Sequence, residues 1–141
     1  SKKMSKSDPS DMSRINMTDN AETIAKKIRK AKTDPDGLPS EVAGLEGRPE
    51  ARNLVNIYAA LADSNVEAVL GHAGGKQFSE FKPMLVDIAV EKLAPISTEM
   101  AQLMQDPAAI DQVLKDGAGR AREIAAPILT KTYDIVGMLQ S

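Results

Sequence analysis

Three observations on this 141-residue chain predict an all-α fold. Apolar residues recur at helical spacing from Ile24 nearly to the C-terminus, no segment alternates apolar and polar residues with β-branched or aromatic enrichment, and only four residues are aromatic. With 42% hydrophobic residues, a chain of this length supports one core, so the architecture expected is a helical bundle preceded by a polar loop.

Residues 1–18 are rich in Ser, Lys, Asp and Met, contain Pro9 and lack an apolar period, which predicts a mobile loop segment. At Asp19 the pattern changes. Asp19 and Glu22 match a capping box, and Ile24, Ile28 and Ala31 follow at i, i+4 and i+7, so residues 19–32 are assigned to a basic helix starting near residue 20. Its other faces carry Lys26, Lys27, Arg29, Lys30 and Lys32. Residues 33–48 hold Asp34-Pro35-Asp36-Gly37, Pro39, Gly44 and Gly47, the turn chemistry of a connector.

Residues 49–141 read as the C-terminal helical bundle. Pro49 stands at a first helical position, and Ala51, Leu54, Val55, Tyr58, Leu61 and Ala62 keep helical period. Ser64 with Glu67 predicts the cap of a short helix carrying Val66, Val69 and Leu70 and ending near Gly74-Gly75. From Phe78 to Leu103 the stripe crosses Pro83 and Pro95, which fits one kinked helix or two in succession. Asp106-Pro107 is an N-cap followed by proline, opening a long last helix with Pro127 inside. Gly117, Ala118, Ala121 and Ala125 are small enough for close helix approach, and Met84, Met100 and Met104 can fill gaps, so these positions are expected in the core.

Composition excludes several chemistries. Without cysteine and with His72 as the one histidine, the chain offers no disulfide, no iron-sulfur cluster and no Cys-based or two-imidazole metal site, so no metal site is predicted. No apolar run approaches the ~20 residues of a membrane span, and no signal-peptide pattern occurs. The net charge of -2 conceals an asymmetry: residues 1–32 carry +5 and residues 33–141 carry -7. An anionic partner belongs at the positive end, and a generic basic nucleic-acid domain, positive throughout or along a stripe, does not fit.

The positive end holds Lys3, Met4, Ser5, Lys6 and Ser7, followed by Asp8-Pro9-Ser10-Asp11 and Ser13-Arg14-Ile15. Two lysines three residues apart in a loop of small hydroxyl residues can converge on one polyphosphate, since each ammonium is a compact point charge and no bulky side chain blocks backbone approach. Such a loop can stabilise charge that develops on phosphate oxygens in a transition state.

These five residues are identical to the KMSKS signature of class I aminoacyl-tRNA synthetases, and the chain beyond them resembles the tryptophanyl-tRNA synthetases of bacterial type. The resemblance runs through Asp8-Pro9, Arg14-Ile15, Thr18-Asp19, the helix from Ile24, Thr33-Asp34, Gly47-Arg48-Pro49-Glu50-Ala51, Asn53-Leu54, Tyr58 and the late helix at Gly117. It implies an enzyme that activates tryptophan with ATP and magnesium to tryptophanyl-adenylate, releases pyrophosphate and charges the tRNA for tryptophan. Lys3 and Lys6 would be the catalytic residues on the ATP phosphates, with Met4, Ser5 and Ser7 shaping the ATP-binding loop. The bundle would be the anticodon-binding region. The resemblance further implies a homodimer in the cytoplasm, with no membrane or DNA partner. The HIGH signature and the Rossmann domain precede this loop in the family and are absent from these residues, so the chain, opening at Ser1, is expected to be an inactive C-terminal fragment that binds no cofactor tightly. The other reading of the residues is a non-catalytic helical RNA-binding or scaffold module with a basic N-terminal arm.

Outside the pentapeptide the residues keep plainer readings. The basic run from Lys26 to Lys32 suits RNA phosphates or a solvated face. Arg48 and Arg52 suit RNA or a surface pair with the intervening Glu50, and are not assigned to the site. His72 fits a cation at a helix C-terminus, and Phe78 and Phe81 fit the core.

Overall fold

The structure, a computed structural model, describes residues 9–137. Among them are five α-helices, two short 3-10 helices and no strand: α1 (Ala21–Lys30), α2 (Pro49–Leu61), α3 (Val66–Ala73), α4 (Phe78–Gln105) and α5 (Pro107–Val136), with 3-10 turns at Asp11–Ser13 and Val42–Leu45. The all-α expectation holds. The residues form two compact units, with the boundary in the chain between Met100 and Ala101, inside α4.

The first unit contains the hydrophobic core. α1 contributes Ile24, Ala25 and Ile28, α2 contributes Ala51, Leu54, Val55 and Ala59, α3 contributes Val69, Leu70 and Ala73, and the first half of α4 contributes Phe78, Phe81, Leu85, Val86 and Ala89. Phe81 is fully enclosed, with its ring 5.6 Å from that of Tyr58 at a tilt of 35°. Burying such a side chain stabilises the fold by about 1.5–3 kcal/mol. Phe78 and Phe81 are thus core residues, as their register indicates.

The connector is part of this core. Leu38 and Leu45, which have no periodic neighbours in sequence, are both buried. Leu38 N–H donates to Lys76 O and Gly75 N–H donates to Leu38 O, each at 2.8 Å, so residues 37–39 lie along the turn after α3. Gly74 makes that approach possible: a Cβ there would sit 2.9 Å from Ser40 Cα and 2.5 Å from Leu70 O.

Two caps differ from expectation by one residue. Asn20, not Asp19, caps α1, accepting from Thr23 N–H at 2.9 Å, and Asn65, not Ser64, caps α3, accepting from Ala68 N–H at 2.8 Å. Each helix begins after two adjacent residues that could both cap it, and at α1 the Asp19 carboxylate is taken by other donors. Pro49 and Pro107 open α2 and α5, and Asp106 accepts from Ala109 N–H at 3.1 Å. α4 continues through both Pro83 and Pro95 as a single helix, and α5 runs through Pro127 to a left-handed Gly137 at φ 71°.

In the second unit α5 carries no buried side chain. The expected core roles of the small and methionine positions are therefore corrected: Ala121 and Ala125 are exposed, Gly117, Ala118, Met84 and Met100 are only half-buried, and Met104 is 71% exposed. Helical period marks which face of α5 is apolar, but burial needs a facing element. No helix among the described residues is long and apolar enough to cross a membrane.

Candidate functional site

The five candidate residues Lys3, Met4, Ser5, Lys6 and Ser7 lie outside the described residues. What the structure places is the segment that follows them and the helix it enters. Ser10 Oγ accepts from Met12 N–H at 3.4 Å, Arg14 N–H closes the 3-10 turn onto Asp11 O at 3.2 Å, and the Arg14 guanidinium donates to Ser10 O at 3.2 Å. Ile15 packs on the core. Residues 10–15, within the segment expected to be a loop, thus carry local hydrogen bonds and one packing contact with the core.

The hold is strongest at Lys27. Its Nζ donates to Asp19 Oδ2 at 2.5 Å and to Asp11 Oδ2 at 2.9 Å, with the lysine side chain 3% exposed, Asp19 9% and Asp11 49%. Asn16 completes the cluster: its N–H donates to Asp19 Oδ2 at 2.9 Å, and its amide reaches Asp11 Oδ2 at 3.4 Å and Asp19 Oδ1 at 3.5 Å. Burial alone raises a carboxyl and lowers an ammonium. Here the hydrogen bonds and charge of the partners outweigh burial, holding Asp19 below its ordinary value and Lys27 above its own.

The reading of Lys26 to Lys32 as one uniform basic run is corrected at Lys27. Lys27 lies three residues after Ile24, on the apolar stripe of α1, and that position was the sequence signal for its burial. Lys26, Arg29 and Lys30 are exposed on the other faces. Lys32 pairs with Glu50 at 3.3 Å. Arg29 and Thr33 line a shallow cleft with Phe78, Ser79, Lys82 and Pro83 at the start of α4. Within it the Lys82 ammonium donates to Ala31 O at 2.7 Å and Arg29 O at 3.2 Å, satisfying the C-terminal carbonyls of α1, and burial lowers its pKa.

Arg48 pairs with Asp34, not Glu50. Its guanidinium engages both carboxylate oxygens of Asp34, through Nε at 3.0 Å and through Nη2, and donates to Gly37 O and Asp36 O at 2.9 Å each. The pairing with Arg48 draws Asp34 below its ordinary value, against the upward effect of burial. Arg48 is thus a clasp of the connector, while Arg52 is exposed. His72 is exposed in the last turn of α3, at the helix end where a cation is favoured. No group of three or more His, Cys, Asp or Glu able to hold a metal ion occurs among the described residues.

The charge asymmetry and the loop chemistry can be set beside known proteins. A family model described as tRNA synthetases class I (W and Y) matches residues 1–90, which include the pentapeptide, the Lys27 cluster, α1 to α3 and the buried start of α4. A tryptophan–tRNA ligase of Mesorhizobium japonicum is 62% identical over 99% of the chain, and one of Caulobacter vibrioides is 53% identical over 97%. A chloroplastic/mitochondrial tryptophan–tRNA ligase of Arabidopsis thaliana is 37% identical over 98%. The chain spans 39%, 40% and 33% of these relatives' lengths. With the family match covering more than half of its residues and the identity to these relatives extending over nearly all of them, the chain belongs to the class I tRNA synthetases of the W and Y group.

Proposed function

We propose that this chain is the phosphate-loop and helical part of a tryptophan–tRNA ligase. The observation that carries the reading is the pentapeptide Lys3, Met4, Ser5, Lys6, Ser7 standing inside the family match, in a chain 62% identical to a tryptophan–tRNA ligase. The complete protein activates tryptophan with ATP, accompanied by magnesium as part of the substrate. The tryptophan carboxylate oxygen attacks the α-phosphorus, the bond from that phosphorus to the bridging oxygen breaks, and pyrophosphate leaves with the electron pair. The products are tryptophanyl-adenylate and pyrophosphate. The tryptophanyl group then passes to the 3′ end of its tRNA.

Lys3 and Lys6 act on the phosphates. As negative charge builds on the leaving pyrophosphate, two ammonium groups stabilise it more in the transition state than in bound ATP, so their effect falls on the rate of activation. Met4, Ser5 and Ser7 are small or unbranched and let the backbone approach the phosphates. The domain division follows the same reading: residues 1–18 carry the loop, 19–32 the basic helix, 33–48 the connector, and 49–141 the region that meets the tRNA anticodon. The complete protein is a cytoplasmic homodimer.

The test uses the full-length protein. Lys6→Ala is expected to slow pre-steady-state adenylate formation by about 10²- to 10³-fold, the loss typical of one preorganised donor to developing charge. Ser10→Ala, outside the pentapeptide, changes it little. An unchanged adenylate rate in Lys6→Ala, with only tRNA affinity altered, would make the loop an RNA contact and withdraw its ATP role.

A further inference from the structure

We infer that the cleft between the end of α1 and the start of α4, lined by Arg29 and Lys82, is a contact site for the phosphate backbone of the tRNA. The inference rests on the reading of the complete protein as a tryptophan–tRNA ligase, which supplies the polyanion. The cleft lies wholly within the first unit.

Its lining carries two cations and no acid. Arg29, Thr33, Phe78, Ser79, Lys82 and Pro83 form it, in a chain whose residues 33–141 carry -7. The two acids next to the lining in sequence are both engaged, Asp34 by the Arg48 guanidinium and Glu80 by Gln77 N–H at 3.1 Å. Lys82 is half-buried, and of its three N–H groups two donate to Ala31 O and Arg29 O. Among the described residues no carboxylate lies within 4 Å of its ammonium, and its third N–H meets no acceptor. A cation withdrawn from water without a countercharge is costly, and a phosphate in the cleft supplies that charge.

The C-terminus of a helix ordinarily repels an anion, because its free carbonyls carry about half a negative charge. At α1 the Lys82 ammonium sits on those carbonyls and reverses the sign, and Arg29 in the last turn adds a second positive charge. The charge continues along the helix. Lys26 and Lys30 share the exposed face of Arg29, opposite the buried Ile24 and Ile28, and none of the three cations forms an ion pair among the described residues. Glu22, the one acid of α1, stands in its first turn. Cations spread over about 6 Å of helix axis beside the cleft meet more than one phosphate of a strand, whereas a lone phosphate would engage the cleft alone. The hydroxyls of Thr33 and Ser79 add donors of the kind that fix a nucleic-acid backbone without reading its bases.

The experiment titrates a transcript of the tRNA for tryptophan with the full-length protein between about 50 and 200 mM salt, where each phosphate contact adds about 0.7–0.9 to the slope of log affinity against log salt. Arg29→Gln is expected to lower that slope by about 0.7–0.9 and to weaken binding about five- to tenfold near 0.1 M salt. Arg29→Lys, which keeps the charge, is expected to keep the slope. Lys82→Gln, compared at a temperature where circular dichroism shows it folded, is expected to lower the slope as Arg29→Gln does. A wild-type slope in Arg29→Gln overturns the site even where affinity falls, because lost structure weakens binding without changing the number of phosphates met. A slope lowered equally in Arg29→Lys also overturns it, because the loss then follows shape and not charge. Tryptophan-dependent pyrophosphate exchange by the wild-type protein tests the ligase reading separately. Absent exchange withdraws that reading whatever the slopes, and unchanged slopes beside intact exchange withdraw the cleft alone.

Discussion

Lys27 Nζ stands 2.5 Å from Asp19 Oδ2, and both side chains are almost wholly withdrawn from solvent. Eight residues separate the two in sequence, and the chain between them contains the turn from the incoming segment into α1. The ion pair therefore fixes the entry angle of that helix from inside the unit. Its worth is uneven: the intact pair contributes little beyond an apolar substitute, whereas half of it is costly.

Lys27→Met is accordingly expected to destabilise the first unit by about 3–5 kcal/mol, because it leaves Asp19 buried without its countercharge. Adding Asp19→Leu should recover part of that loss, although Asn16 N–H then lacks its acceptor. Urea denaturation of the single and double variants measures both values. A double variant less stable than Lys27→Met would show that Asp19 stabilises the fold chiefly through Asn16.

The pH dependence follows from the same groups. Burial raises Asp19, but hydrogen bonds from Lys27 and Asn16 outweigh it, so its folded pKa lies below the unfolded value. Asp34 is lowered chiefly by Arg48. A depressed carboxyl contributes stability above its unfolded pKa, about 3.9, and loses it as pH falls through the folded value. Lys27 is raised, so its contribution is complete below an unfolded pKa of 10.5 and is lost as pH rises past the folded one. Stability is expected to hold from neutral pH down to about pH 5 and to fall steeply below 4, with the acid limb flattened in Lys27→Met. Denaturation midpoints across pH 3 to 7 check this.

Arg48→Ala is expected to cost about 1.5–3 kcal/mol, the scale of charged hydrogen bonds lost from a partly buried carboxylate. Arg52→Ala, four residues along α2 and exposed, should fall within about 0.5 kcal/mol of wild type. Lys at position 48 should not restore the loss, because it lacks the planar fork that meets two oxygens of Asp34 and two backbone carbonyls. Thermal melts of the three variants decide the matter.

Two glycines in α3 and its cap should respond with opposite signs. A Cβ on Gly74 meets Leu70 O and Ser40, so Gly74→Ala is expected to destabilise by about 1–3 kcal/mol. Gly71 sits inside the helix with open space around it, and Gly71→Ala should stabilise by about 0.5–1 kcal/mol. Chemical denaturation of the pair tests the close packing of residue 40 on the turn after α3.

What was legible in the residues divides along physical lines. Local chemistry could be read: Pro49 and Pro107 at helix starts, Asp106 as a cap, Gly74 past the end of α3, and the apolar period of α1 to α4. Tertiary choices could not. Asp19 and Asn20 are both good caps, and the choice fell to Asn20 where Lys27 and Asn16 engage the Asp19 carboxylate. Leu38 and Leu45 belong to turns too short to show a period, so only the surrounding helices reveal that they are buried. Ala121 and Ala125 in α5 kept a helical period without being enclosed, because period reports a face and not its cover. The pentapeptide was readable from residue types alone, and the burial of Lys27 against Asp19 only from coordinates.

The C-terminal turn of α1 ends on Lys82, whose ammonium is bound by the carbonyls of Arg29 and Ala31 more than fifty residues upstream. A ten-residue helix lies below the length that sustains itself in water. On a chain emerging from the ribosome, α1 must therefore wait for about fifty further residues before its last carbonyls find this donor. Premature termination before Lys82 would release a nascent product in which those two carbonyls lack that donor.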